Sequence, residues 1–365
     1  MIVKSLELSD YRNYETLSVQ FHPGRNLIYG DNAQGKTNVL EAIYECATLR
    51  SHRGSKDRDI IRFGAEEAHI RLLMEKKGKT ERIDVHLRGN KAKGAAVGGV
   101  ALHRASELFG LLHVVFFSPE DLRIIKNSPQ ERRRFMDIEL CQLSRFYTNQ
   151  LIGYNKALLQ RNMLLKEAAH RKEMLSVLEE WDAQLLSYGL PIMKEREKFI
   201  RELDEILAPI HESLTGGRER LSLRYAPSVR AEAWEEKIFL SHDTDRAQQT
   251  TTLGPHRDEL EFLIDGTDAR RFGSQGQQRS AALSLKLAEI ELVRRTIGDT
   301  PVLLLDDVLS ELDGKRRERL LQSLDGVQTL LTCTGLDDFA KNSVSVDRRF
   351  YVTEGRMTEE TQEDE

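Results

Sequence analysis

The chain has 365 residues, 39% of them hydrophobic and 31% charged, which is the composition of an ordinary soluble globular protein. It has no apolar run of about 18 residues and no basic segment followed by an apolar one at its start, so we expect neither a membrane span nor a secretory signal. Three widely spaced cysteines without a CxxC pair argue against a disulfide scaffold or a zinc cluster and indicate a reducing cytoplasm.

The formal net charge of −5 is unevenly distributed along the chain. Residues 354–365 hold six acidic residues and one arginine, net −5, which predicts a disordered acidic tail after a neutral body. Residues 50–93 hold thirteen Lys/Arg and seven Asp/Glu, net +6. This basic segment is either a solvated surface or a face for phosphate backbones, so the net charge does not exclude a nucleic-acid partner.

The first part of the chain is patterned for strands. IVKSLEL alternates apolar and polar residues, LSVQF follows, and NLIY leads into a glycine-rich segment. Residues 37–49 then have helical spacing, residues 66–102 alternate between glycines as in hairpins, and residues 114–117 form a short apolar strand.

The middle of the chain is patterned for helices. Between residues 130 and 214 the apolar side chains recur at three- and four-residue steps, which predicts two long amphipathic helices that reverse near residues 170–172, with a kink at Pro191. Strand patterns return at residues 221–225, 260–264, 302–305 and 329–332, and a helix starts near Ser274.

These elements predict an α/β domain interrupted by a helical insertion. Residues 1–125 and 215–353 would form the two halves of a head, residues 126–214 an inserted helical arm, and residues 354–365 the tail.

The segment between the third strand and the first helix carries the most specific motif. It fits GxxxxGK[ST] with residues Gly30, Asp31, Asn32, Ala33, Gln34, Gly35, Lys36 and Thr37. Glycines let backbone N–H groups turn towards a phosphate, Lys36 reaches the β- and γ-phosphates, and the Thr37 hydroxyl is a Mg²⁺ ligand. The sequence therefore predicts a nucleoside triphosphate site.

Two further segments gain weight from this phosphate-binding loop. The apolar strand at residues 303–305 ends in Asp306, which suits a Mg²⁺ ligand, and Asp307, which suits the residue that polarises the attacking water. The helix start at Ser274, Gln275, Gly276 and Gln277 is either a plain helix cap or an anion site, where the first N–H groups of the helix donate hydrogen bonds to the anion.

Six segments together carry a family resemblance: YRNYETL, GDNAQGKTN, FSPEDLRIIKNSPQERRRFMD, GPHRDEL, SQGQQRS and LLLDDVLSELD. They resemble the ABC-type ATPase heads of the SMC class and, over nearly the whole chain, the RecF family of bacterial recombination mediators. The resemblance implies a P-loop ATPase head of ABC/SMC type with an antiparallel β lobe and an inserted helical lobe, like a short antiparallel coiled coil.

The resemblance also implies roles for individual residues. Two chains would dimerise around two ATP molecules with Mg²⁺, and Ser274, Gln275, Gly276 and Gln277 would act on the nucleotide of the partner chain. Arg12 and Asn13 would lie near the nucleotide, Ser310 and Asp313 would form the D-loop, and residues 118–121 occupy the Q-loop region without a glutamine.

Departures from the general ABC pattern predict slow hydrolysis. Asp307 replaces the usual glutamate and is one methylene shorter, and no histidine follows the strand at residues 329–332, where Thr334 stands instead. Catalysis by positioning is sensitive to misplacements of about 1 Å, so we expect a weak, DNA-stimulated ATPase in which hydrolysis times release.

The basic segment supplies candidates for binding DNA: Arg53, Lys56, Lys76, Lys77, Lys79, Lys91 and Lys93. A second basic cluster, at residues 132–134, is either a DNA contact or an ordinary helix start. The resemblance implies action at single-strand gaps, where the protein would help RecO and RecR load RecA and would support replication restart and the SOS response.

Three other functions stay open. The first is the ATPase subunit of a membrane transporter. The spacing argues against it, because in that class the motifs lie much closer together than the 238 residues that separate Lys36 and Ser274 here. Structural SMC-like proteins carry far longer coiled coils or a CxxC hook, and the insertion here has neither. An ATP-gated adaptor without hydrolysis would be separated from an ATPase by phosphate release from variants of Lys36 and Asp307.

Overall fold

The computed structural model describes residues 1–168, 175–312, 314–322, 324–335 and 345–360. The chain divides into two compact units. Unit 1 comprises Met1–Asp121 and Lys286–Glu365, and unit 2 comprises Leu122–Leu285. Within the described ranges, no helix is both long and apolar enough to cross a membrane.

The first layer of unit 1 is an antiparallel sheet. Its strands are β1 Ile2–Tyr11, β2 Tyr14–Gln20, β4 Glu67–Lys76, β5 Lys79–Arg88, β6 Gly94–Val97 and β7 Val100–Ala101. They are ordered β2-β1-β4-β5-β6-β7, and one face is buried while the other is exposed, as their alternating sequence requires. The predicted strands and hairpins are confirmed.

The second layer is a mostly parallel sheet. Its strands are β3 Arg25–Tyr29, β8 Val114–Phe117, β12 Val302–Asp306, β13 Thr329–Cys333, β14 Arg348–Thr353 and β15 Arg356–Glu360. In the order β15-β14-β3-β13-β12-β8, only β15 runs antiparallel to its neighbour. Strands β8, β12 and β13 are almost continuously buried, which agrees with their apolar sequences, although β8 lies at the edge of the sheet.

Strand β15 corrects one expectation. Residues 356–360 pair with β14 and are not disordered, because the tail folds back through a turn at Glu354 and Gly355. Residues 361–365 lie outside the described residues.

Helix α1, Lys36–Thr48, lies between the two layers. It contacts β4 and β5 on one side and β8, β12 and β13 on the other, so even Glu41 and Glu45 on it are buried. Unit 1 also contains α2 Asp57–Ile60 and α11 Gly314–Gln322.

Unit 2 is built on helices and a small sheet. The helices are α3 Leu122–Lys126, α4 Pro129–Leu143, α5 Arg145–Ala168, α6 Leu175–Thr215, α7 Ala231–Leu240, α8 His242–Gln248 and α9 Ala269–Phe272. The sheet contains β9 Leu221–Ala226, β10 Glu259–Ile264 and β11 Thr267–Asp268, in the order β11-β10-β9. Helix α10, Gln275–Ile297, crosses the boundary between the units.

The first predicted long helix is interrupted at Ser144, where the backbone is extended, and so forms α4 and α5. The second is present as α6, which packs on α5 and continues through Pro191. The predicted reversal at residues 170–172 lies outside the described residues. The boundaries of the insertion differ from those predicted. Strand β9 packs on α6 and β10 on α4, so residues 215–285 belong with the helices and not with the head.

Candidate nucleotide site and its surroundings

The phosphate-binding loop connects β3 to α1 and depends on two glycines. Gly30 has φ 145° and Gly35 has φ 118°, values that other residues rarely adopt. A Cβ atom on Gly30 would collide with the carbonyl oxygen of Val352, and one on Gly35 with the side chain of Asn13. Both glycines are therefore needed for the loop to pass close to neighbouring chain segments.

Lys36 closes this loop. Its buried ammonium group donates hydrogen bonds to the carbonyl oxygens of Gly30 at 2.7 Å and Asp31 at 2.8 Å. A cation is thus held at the mouth of the loop, beside the N-terminus of α1, where two sources of positive potential favour a phosphate.

Asn13 also supports the loop. Its amide donates to the carbonyl oxygen of Gln34 at 2.7 Å and accepts from Asn38 at 2.8 Å. Gln34 is also held by the turn after β14. The backbone N–H of Glu354 donates to Oε1 of Gln34 at 2.6 Å, and the N–H of Gly355 donates to the carbonyl oxygen of Gln34 at 3.3 Å.

Arg12, expected to share the neighbourhood of Asn13, is engaged elsewhere. Its guanidinium group forms a bidentate ion pair with Glu41, with both bonds at 2.9 Å. Two further bonds go to the Ser55 hydroxyl and the Asp59 carbonyl. Arg12 therefore fixes the segment after α1, whereas Asn13 contacts the loop itself.

The carboxyl end of β12 lies beside the first turn of α1. The Thr37 hydroxyl donates to Oδ1 of Asp306 at 2.7 Å, and the Thr332 hydroxyl on the intervening strand β13 donates to the same oxygen at 2.8 Å. Two oxygen ligands at octahedral corners of a Mg²⁺ ion lie about 2.9 Å apart, so Thr37 and Asp306 fit this ion. It would offset the negative charge of phosphate groups.

Asp307 follows with φ 56°, a left-handed conformation that aspartate tolerates better than most residues. Its N–H donates to the Thr332 hydroxyl at 3.0 Å, and its carbonyl accepts from the Ser310 hydroxyl at 2.7 Å. The turn is thus fixed on both sides. Asp313, the other D-loop candidate, lies outside the described residues.

The Q-loop region contains an ion pair that the sequence did not reveal. Oδ2 of Asp121 accepts the N–H of Ser118 at 2.6 Å, and Oδ1 lies 3.4 Å from Nζ of Lys286 on α10. Burial raises the pKa of Asp121, and the ammonium group opposes this rise. In place of the missing glutamine, a buried ion pair connects this turn to α10.

The predicted signature segment is a reciprocal helix cap. The Ser274 hydroxyl accepts the N–H of Gln277 at 3.3 Å, while Oε1 of Gln277 accepts the N–H of Ser274 at 2.8 Å. Ser274, Gln275 and Gly276 are exposed, and so is the ring of Phe272 just before them. The first turn of α10 is therefore preorganised at the surface.

The predicted DNA-binding residues form two groups and not one face. Lys77 and Lys79 are exposed at the tip of the β4–β5 hairpin. Arg53 and Lys91 line a cavity of about 1050 Å³ at the opposite end of that hairpin, beside Asn13 and Asn38 of the nucleotide site. The two ends are about 30 Å apart, since each strand has ten residues.

Two of the predicted lysines are engaged within the fold. Lys76 donates to the carbonyl oxygens of Gly110 and Leu111, both at 3.0 Å. Lys93 contacts Glu45 at 3.1 Å and Asp57 at 2.9 Å. Lys56 is exposed, and it lies outside the cavity lining.

The basic cluster at residues 132–134 is at least partly structural. Arg132 is buried and forms a bidentate pair with Glu259, at 2.6 and 2.8 Å. Arg133 donates to the carbonyl oxygen of Asp258 at 2.8 Å. These contacts favour the ordinary helix start over a DNA contact for these two residues.

Residues 254–259, GPHRDE, form a buried polar network in unit 2 that sequence reasoning left without a role. His256 accepts a 2.6 Å hydrogen bond from the Tyr154 hydroxyl and donates to the Thr251 carbonyl at 2.9 Å. Asp258 bonds to Tyr225 and pairs with Arg196 at 3.4 Å. Burial lowers the pKa of His256 to about 4.

Comparison with known proteins agrees with this geometry. The family model described as the RecF/RecN/SMC N terminal domain matches residues 2–344. The Smc head domain of Pyrococcus furiosus shares the fold, with a TM-score of 0.57 at 18% identity, over 99% of this chain and 97% of its own. Fold and site together define an ABC-type ATPase head of the SMC class.

More similar proteins narrow this class. Curated proteins of Agathobacter rectalis and Clostridium acetobutylicum, both named DNA replication and repair protein RecF, are 55% and 41% identical over 98% of this chain and 99% and 100% of theirs. The chain belongs to the RecF family. Solved structures of the recombination mediator protein RecF-ATPrS and RecF-ATP in the RecFOR pathway match it with TM-scores of 0.91 and 0.92 at 34% identity, covering 98% and 99% of this chain and 98% of each of theirs.

Proposed function

We propose that this protein is an ATP-switched DNA-binding protein of replication and recombinational repair. The observation that carries the proposal is the contact between Thr37 and Asp306 at the end of the phosphate-binding loop, because it assembles ligands for MgATP beside the Lys36 ammonium. The names of the relatives support the cellular process, and the RecF-ATP structure supports the nucleotide.

ATP acts here as a dimerisation switch. The Ser274–Gln277 cap holds the first turn of α10 at the surface, where the positive end of the helix and the Ser274 hydroxyl can meet the γ-phosphate held by a second copy. One nucleotide then contacts both chains, and two nucleotides join a symmetric dimer. Ser274, Gly276 and Gln277 act in trans.

Hydrolysis serves as a slow timer for release. Asp307 stands next to the Mg²⁺ ligand Asp306, and its short side chain places the carboxylate farther from an attacking water than a glutamate would. We expect turnover well below the typical enzyme value of about ten per second. A non-hydrolysing adaptor differs by keeping its dimer indefinitely in ATP.

DNA binds at the rim of the cavity that contains Arg53 and Lys91. These cations are exposed, and the same cavity reaches Asn13 and Asn38 at the nucleotide site, so both functions share one surface of unit 1. Since phosphate contacts dominate DNA affinity, closing two such surfaces on one duplex strengthens binding. ATP thereby controls DNA binding through dimerisation.

In the cell the dimer acts at single-strand gaps and their duplex junctions. It cooperates there with RecR and RecO to load RecA, and so supports replication restart and the SOS response. The description of the RecF structures as part of the RecFOR pathway supports these partners.

The test measures molar mass and affinity for duplex, single-stranded and gapped DNA with ATP, with ADP and without nucleotide. A dimer and tighter DNA binding are expected only with ATP, and Lys36→Met is expected to lose both. A chain that stays monomeric in ATP, or DNA affinity that is identical in all three conditions, contradicts the proposal.

A further inference from the structure

Three potential metal ligands meet on the exposed face of the antiparallel sheet of unit 1. Glu67 and His69 are two residues apart on β4 and so point to the same face, and His86 lies directly opposite His69 on β5. The two imidazole rings stack with centroids 3.9 Å apart and planes 24° apart. This trio is separate from the phosphate-binding loop and from Asp306 and Asp307.

The ligand atoms of the trio converge. Nε2 of His86 hydrogen-bonds to Oε2 of Glu67, and Nε2 of His69 lies 3.9 Å from the same oxygen. One donor atom from each residue lies within 4.8 Å of the other two. Two ligands on one Zn²⁺ ion, at about 2.0–2.1 Å from it, are about 3.3 Å apart, so modest ring rotations close the set.

The backbone holds the three residues in place. Cross-strand pairs join β4 and β5 continuously from Glu67 and Arg88 to Lys76 and Lys79. The ligand set therefore needs only side-chain adjustment, and its outer side is open to solvent, since His69 and Glu67 are about half exposed.

We propose that Glu67, His69 and His86 bind one divalent transition-metal ion, with Zn²⁺ as the physiological candidate. Two imidazoles and one carboxylate suit Zn²⁺ and related ions, whereas Mg²⁺ prefers oxygen ligands and retains water. The three protein ligands leave a fourth position for water. Bound metal would join β4 to β5 as a cross-strand clip at the rim of the basic cavity, which Glu67 also lines.

Arg88 provides a distinctive test of the proposal, because its removal should strengthen metal binding. Its guanidinium group donates to Nδ1 of His86 at 3.1 Å. A metal on Nε2 of neutral His86 places the imidazole hydrogen on Nδ1, facing that donor, so Arg88 must turn away before the ion binds. Arg88 also repels the dication. Its removal should therefore strengthen metal binding, although it lies beside the site.

The test titrates ZnCl₂ into the metal-stripped full chain without a histidine tag, in excess Mg²⁺, and follows binding by calorimetry and the melting temperature. We expect one strong Zn²⁺ site that raises the melting temperature. His69→Ala, His86→Ala and Glu67→Gln should each weaken it at least tenfold, while Arg88→Ala should tighten it severalfold.

His103→Ala is the matched control, because His103 is an exposed histidine of the same unit outside the trio. The melting temperature of each variant without Zn²⁺ is its own reference, and the rise on adding Zn²⁺ is the quantity compared. Zn²⁺ affinity unchanged in His69→Ala and His86→Ala, or reduced as much in His103→Ala, would overturn the proposal. None of these readouts requires ATP or DNA, so they are independent of the proposed function.

Discussion

The hydroxyl of Thr37 lies 2.7 Å from Oδ1 of Asp306, a residue 269 positions further along the chain. This contact depends on the parallel sheet, in which β13 lies between β3 and β12 and contributes Thr332 to the same oxygen. The candidate cation site therefore depends on three strands and not on the phosphate-binding loop alone.

Loss of the Thr37 hydroxyl should affect nucleotide binding only when Mg²⁺ is present. We expect Thr37→Ala to weaken MgATP binding about tenfold to a hundredfold, which corresponds to one hydrogen bond or ligand contact to a charged group. Calorimetry with and without EDTA measures this. Thr37→Ser keeps the hydroxyl and should bind like the parent; equal weakening in EDTA would argue against the assigned role.

The signature segment should work on the partner's nucleotide. Each composite site needs Lys36 from one chain and the signature segment from the other. Ser274→Arg and Lys36→Met chains should therefore each fail to dimerise alone, because both sites of either homodimer lack one of these two parts. When mixed, they can form a heterodimer with one intact site, and ATP should then restore dimers to a substantial fraction. Analytical ultracentrifugation of the mixture detects this, and an absence of dimers in the mixture contradicts action in trans.

The two basic groups on unit 1 should contribute unequally to DNA binding. Replacing both Arg53 and Lys91 by glutamate should weaken duplex binding. The slope of log affinity against log salt concentration should become shallower by about 0.9 for each phosphate that is no longer neutralised. Lys77 and Lys79 provide a control with the same change in charge at the opposite end of the hairpin. A larger effect from the lysine pair would reverse the assignment.

Unit 2 should lose stability in mild acid because of His256. Its pKa of about 4 lies below the ordinary value of 6.5, so the unfolded chain takes up the proton first as the pH falls from 6.5 to 4. The free energy of unfolding should therefore fall by about 2 kcal/mol between pH 7.5 and pH 5, and the loss should level off below pH 4.

Urea unfolding followed by tryptophan fluorescence checks this, since both tryptophans, Trp181 and Trp234, belong to unit 2. His256→Asn offers hydrogen-bonding groups without titrating. Its stability should change less between the two pH values than that of the parent. A pH dependence identical to the parent's would exclude His256 as the cause.

Asp307 should matter for hydrolysis and not for binding. Asp307→Asn retains a residue that tolerates φ 56°, so the turn should persist while the carboxylate is lost. We expect phosphate release to fall about a hundredfold and the ATP-bound dimer to last longer, with unchanged ATP affinity. Phosphate release equal to the parent's would remove Asp307 from the mechanism.

The sequence was most informative where chemistry restricts residue type. Gly30, Gly35 and Lys36 could be assigned because few other residues adopt the loop conformation or supply its charge. The capping role of Ser274 was equally local, since a helix start is defined by its own residues. The SMC-type head followed from these motifs and the resemblance, whereas the strand order did not.

Long-range contacts were beyond the sequence. Arg12 and Asn13 are adjacent and equally polar, yet only Asn13 contacts the loop, because successive residues of a hairpin point to different neighbours. The ion pair between Asp121 and Lys286 joins distant segments with no periodic signal. The basic segment was treated as one surface because net charge contains no information about which lysines, such as Lys93, pair with buried acids.

The position of β3 has a consequence for biosynthesis. This strand bears the phosphate-binding loop, but its two neighbours are β13 and β14, and Gln34 is held by the turn at residues 354–355. A nascent chain that has not passed residue 329 thus has the complete nucleotide motif in its sequence but no sheet on which to build it. We therefore expect the nucleotide site to form only after residues 329–355 have been synthesised, so that shorter products of this chain should not bind ATP.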